Sequence, residues 1–165
     1  MTLVRTCQQL QEALHALGGA VQALHVSVVE DRPPKDDVAL TDLFGDALEE
    51  IAGRVEECAQ GLAPHLPTPD RPSAGVVLWQ ALACCQSNFG DLQFRCFDLL
   101  AYGRLAPLVQ LGRRRGGEWQ SWAIGVRTGL EQLPPLLYAV QQSLTACWQE
   151  LGEQVGPPRV LIQHW

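Results

Sequence analysis

Three consecutive arginines, Arg113, Arg114 and Arg115, run into Gly116–Gly117 and then into Trp119 and Trp122. Guanidinium forks match carboxylates and phosphates alike. Glycines leave backbone N–H groups open, and the start of a following helix is positive. An anion, a phosphate backbone or an acidic protein surface could each dock on such a stretch. The same residues also have a purely internal use. Cations suit the negative end of a preceding helical segment, the glycines then turn the chain, and the tryptophans open the apolar face of the next helix. Residues 101–130 carry five arginines against one acid, Glu118, which reverses the charge balance of an otherwise acidic chain.

Other chemistry-bearing residues are sparser. Glu12 and His15 form an E-x-x-H, the spacing that carboxylate-bridged metal bundles use. Such sites need two copies and two further inward glutamates. Here there is one copy, and the glutamates of the next segment sit off its apolar pattern, so the pair reads as solvated. The six cysteines, Cys7, Cys58, Cys84, Cys85, Cys96 and Cys147, contain no C-x-x-C and no Cys/His cluster at metal spacing. Most fall on apolar helix faces, where cysteine acts as a small hydrophobe, so reduced structural thiols are expected. There is no G-x-S-x-G, phosphate loop or dinucleotide fingerprint. No catalytic, cofactor-binding or metal-ligating residue is therefore assigned. The stretches HVSVVED and FGDALEEIAGRVEE resemble the opening of the ferritin-like iron-storing bundles that protect bacterial DNA. The tryptophan after the histidine and the histidine/carboxylate spacing of that metal site are missing here, so no ligand carries over.

The elements that must position these residues follow from periodicity. Leu3, Cys7, Leu10, Leu14, Leu17, Val21, Leu24 and Val28 step by four and three in turn, an unbroken heptad seam. Gly18 and Gly19 interrupt its propensity, for which a close neighbour or a bend is the expected reason. Pro33–Pro34 ends it. A second helix is expected from about Ala39 to Leu62, with Leu40, Phe44, Ala47, Ile51, Val55, Cys58 and Leu62 inward and glutamates outward. A third opens after Ser73, its seam running from Leu78 to Leu99. Trp79, Phe97 and Leu100 widen that stripe, predicting burial on more than one side. A fourth face extends from Trp119 to Val155, and Pro134–Pro135 should split it into about 117–133 and 135–154.

The fold expected is all-α: an antiparallel four-helix-type bundle over 1–155, its last helix kinked or split at Pro134–Pro135, with a short extended C-terminal tail over 156–165. The 165 residues, 47% hydrophobic and 18% charged, suit one domain with a real core. No apolar run approaches the roughly 18 residues of a membrane span, and the first residues have no secretory pattern, so a cytoplasmic location is expected and no membrane contact. Residues 1–70 carry twelve acidic and four basic side chains, and 71–165 six and eight. The net charge of −6 disfavours nucleic acid, which would be repelled at long range. What remains is a non-enzymatic bundle acting through protein–protein contacts: an adaptor, assembly factor or small subunit of a bacterial complex, or a self-associating chain. The expected partner-binding residues are Arg113, Arg114, Arg115, Trp119 and Trp165. Tryptophan and arginine are favoured at interfaces, and the apolar tail could anchor on another chain. The alternative is a nucleic-acid or phosphate ligand on Arg113–Arg115; a metal-dependent ferritin-like bundle ranks third.

Overall fold

The computed structural model describes residues 2–30, 38–70, 76–104 and 117–155; within its helices the side chains of 38–41, 102–104, 118, 119 and 153–155 lie outside the description. Among the described residues there are five α-helices, α1 Leu3–Glu30, α2 Val38–Leu62, α3 Val76–Arg104, α4 Gly117–Glu131 and α5 Leu133–Val155, with one 3₁₀ turn, Ala63–His65, closing α2. No β-strand occurs among the described elements. The protein is an antiparallel bundle in which α4 and α5 together serve as the fourth helix.

Cross-helix contacts set the directions. Val29 of α1 lies against Gly45 of α2, and Gly18 against Val55, so α1 and α2 run in opposite senses. Cys58 meets Cys85, and Glu50 meets Arg95, which reverses α3 against α2. Trp122 reaches Val28, and Cys147 reaches Cys7, so α4–α5 runs against α1. Helix α1 packs mainly on α2 and α5, α2 also packs on α3, and α3 meets α4 and α5 more sparingly. Below, the lower end is that of Leu3, Leu62, Val76 and Val155. The upper end is that of Glu30, Arg104 and Gly117.

All eight seam residues of α1 are buried. The seam of α2 is Phe44, Leu48, Ile51, Val55, Cys58 and Leu62, again a strict four–three repeat. Leu48 is thus a core residue that the sequence reading passed over for Ala47, which is only partly buried. In α3 the expected seam is buried along with Trp79 and Leu100, but Phe97 is not: it is 49% exposed. Each buried Leu or Phe contributes roughly 1.5–3 kcal/mol, and these interlocking seams fix the bundle. Gly18 and Gly19 are not sites of forced approach. A Cβ on Gly18 would make an ordinary contact with Val55, and one on Gly19 would meet nothing. The close approach is at Gly129, where a Cβ would fall 2.6 Å from Leu24 Cδ1.

The break in the last helix falls at Gln132, two residues ahead of the split expected from the proline pair. Pro134 and Pro135 have no N–H to give to the carbonyls of Leu130 and Glu131, and a proline ring clashes with the carbonyl four residues before it. The helix therefore ends upstream. The Gln132 N–H takes Gly129 O at 3.2 Å, a tightened last turn, and a new helix starts at Leu133. There the prolines occupy first-turn positions whose N–H groups need no helical partner. Leu130 and Leu133 stay buried across the break. The expected C-terminal tail, 156–165, lies outside the described residues.

Candidate interaction surface

Of the residues singled out in the sequence, Arg113, Arg114, Arg115 and Trp165 lie outside the described residues. Trp119 belongs to the first turn of α4, but its side chain is outside the description. The helix does begin where the two glycines suggested. Gly117 has φ of +48°, a left-handed conformation that glycine adopts without the Cβ penalty. Residues 105–116 join Arg104 to Gly117, so both ends of the arginine stretch are tied to the upper end of the bundle.

Trp122 is core. Its ring is buried, and its Nε1–H donates to Val28 O at 3.3 Å. Helix α1 ends at Glu30, so Val28 O lies among the terminal carbonyls that have no helical partner. The indole thereby closes the end of α1 from across the bundle.

Glu12 and His15 are both exposed, and no group of three or more His, Cys, Asp or Glu side chains among the described residues could hold a metal ion. The described cysteines are all free; Cys84 is exposed and the other five are buried. Burial pushes the Cys96 thiol up to about 12, which leaves it a packing residue rather than a nucleophile.

The acidic face of α2 is matched from within the bundle. Glu50 takes Arg54 at 3.4 Å on its own helix and Arg95 of α3 at 2.7 Å. Neutralisation of α2 thus comes in part from α3, an arginine that the sequence reading had not assigned to it. These partly exposed pairs contribute at most about 1 kcal/mol each. Beside them, Leu43, Ala47, Ile51 and Leu99 line a groove of about 320 Å³ between α2 and α3, with Glu50, Arg95 and Asp98 on its rim.

The upper end carries the feature that periodicity missed. Trp79 and Phe97 are eighteen residues apart, five whole turns, so they share one face of α3. Near the lower end that face is sealed. Trp79 packs on Trp148 of α5, ring centroids 4.9 Å apart, and the Trp148 indole N–H donates to Gln86. Near the upper end the same face is open: Phe97 is 49% exposed and Phe94 is 73% exposed. On α4, Ile124 is 58% exposed. It lies about 200° around the helix from Trp122, and so faces away from α1. Val26, Val29 and Leu43 add further exposed apolar surface at this end. Scattered exposed hydrophobics are ordinary, but several at one end of a bundle mark a contact surface. Phe94 could have been noticed in the sequence, since it stands off the seam, two residues after Leu92.

The described helices include none long and apolar enough to cross a membrane. Comparison of the chain with protein-family models, with curated proteins and with solved structures gives no match.

Proposed function

We propose that this chain is a non-enzymatic helical-bundle protein that works by protein–protein contact, as an adaptor, assembly factor or small subunit of a bacterial cytoplasmic complex. One observation carries the reading: Phe94, Phe97 and Ile124 stand exposed at the upper end of the bundle, where the arginine stretch is also tethered. Aromatic and arginine side chains are both enriched at interface centres. Arg113, Arg114, Arg115 and Trp119 belong to this proposed surface by connectivity. Trp165 is proposed as a separate anchor on the tail.

Light scattering of the purified protein over a range of concentrations, with and without 0.5 M salt, tests this. The expected result is a mass above one chain that salt changes little and that the double variant Phe94→Ser/Phe97→Ser returns to one chain. Helical content should stay intact. A strict monomer that instead binds DNA or RNA tightly, and loses that binding in Arg113→Ala/Arg114→Ala/Arg115→Ala, would sink the proposal in favour of an anion-binding surface.

A further inference from the structure

The lower half of the core holds four thiols, one from each arm of the bundle. Cys7 of α1 and Cys147 of α5 bring their sulfurs to 3.9 Å, and Cys58 of α2 reaches the carbonyl of Cys85 of α3 at 3.9 Å. Cys85 is pushed up by its contact with Cys58 and by burial. Cys7 and Cys147 touch across 140 residues of sequence, between the first helix and the last.

In both pairs the thiols engage each other, but the Cys58 S–H also reaches the Cys85 backbone carbonyl, and Cys85 sits nine residues inside α3. Cys7 and Cys147 face each other sulfur to sulfur. Cys7 is about one turn inside the start of α1, and Cys147 about two turns inside the end of α5. Helix ends open locally at far lower cost than the whole fold, so this pair meets small solutes through end fraying although it is fully covered at rest. Thr6 is the only buried polar side chain among the described residues, and its hydroxyl is used within α1, donating to Leu3 O at 2.9 Å. The hydrogen bond shared with Cys7 holds the Cys147 thiol below its ordinary value, against the opposing effect of burial, while the same contact and burial push Cys7 up.

We propose that Cys7 and Cys147 form an oxidisable dithiol that hydrogen peroxide converts to a disulfide locking the first helix to the last. The Cys147 thiolate attacks a peroxide oxygen and breaks the O–O bond. This gives a sulfenic acid and hydroxide, which takes up a proton to leave as water. The Cys7 sulfur then attacks the sulfenic sulfur. The S–O bond breaks, and the hydroxyl leaves with the Cys7 proton as a second water. Two thiols and one peroxide become one disulfide and two waters. The product is neutral, which suits an apolar core better than a buried thiolate does.

The test treats the purified full chain with a small molar excess of hydrogen peroxide, blocks remaining thiols and maps the peptides by mass spectrometry. The expected product is a Cys7–Cys147 cross-link, lighter by two hydrogens and restored by dithiothreitol, with a raised thermal midpoint. Cys7→Val and Cys147→Val should each abolish both the link and the rise in midpoint. Cys58→Val should leave both in place. A Cys58–Cys85 link formed first, a Cys84-linked dimer as the main product, or all six thiols still alkylatable after treatment would overturn the proposal. Should either valine variant at the pair fail to fold, the wild-type peptide map decides alone.

Discussion

The two ends of the α3 seam treat the same helical face in opposite ways. At the lower end Trp79 is covered by Trp148, whose own indole N–H is held by Gln86. At the upper end Phe97, five turns on and at the same angle, has no such cover, and Phe94 stands further out still. The residue types are alike, so composition does not explain the difference. It arises because α5 supplies a large aromatic where α3 begins, whereas α4, where α3 ends, turns Trp122 toward α1 instead. That indole is committed to the Val28 carbonyl. An aromatic face is therefore core at one end and surface at the other, and the surface half is where a contact would be made.

The sharpest way to break this contrast is Trp79→Ala. Loss of a mostly buried indole and its ring partner should cost about 3–5 kcal/mol, read as a lowered urea midpoint. A cost near zero would mean that the lower seam is no more closed than the upper. Next comes Gly129→Ala, which drives a Cβ into Leu24. Overpacking of about 1–3 kcal/mol should outweigh the gain in helix propensity of about 1 kcal/mol. Gly19→Ala, which meets nothing, should instead stabilise by up to about 1 kcal/mol. Thermal unfolding should therefore shift in opposite directions for the two variants.

Trp122→Phe removes the indole N–H together with part of the buried ring and should cost about 1–2 kcal/mol, with protection of the last α1 amides from hydrogen exchange reduced more than that of the middle ones. The smallest expected effect on stability is at the open end. Phe94→Ser should change it by no more than about 0.5 kcal/mol, while weakening association the most. A Phe94→Ser variant that unfolds at markedly lower urea would show that the upper face is core after all.

The seams were legible because a heptad of apolar residues has only one face to bury. Leu3 to Val28 and Leu78 to Leu99 could be read off almost residue by residue, as could a break near the proline pair. Leu48 was missed only because Ala47 is equally apolar and its neighbour. Phe97 was misread for a different reason. Helical angle places a residue on the side toward a neighbour, but whether the neighbour has a side chain to cover it depends on another helix's register. The Cys7–Cys147 contact and the Glu50–Arg95 pair were invisible for the same reason, since each joins residues from separate helices with no local pattern between them.

By itself, then, the sequence determined the class of fold: long amphipathic helices with strict four–three seams, proline-bounded, and one helix that cannot pass Pro134–Pro135 unbroken. These follow from local sterics and periodic burial, which act within a few turns. Tertiary structure decided which aromatic faces are sealed, which thiols touch and which carbonyl a buried indole satisfies. Those outcomes depend on how far each helix slides and rotates against its neighbours, and that is fixed only when all the seams interlock at once.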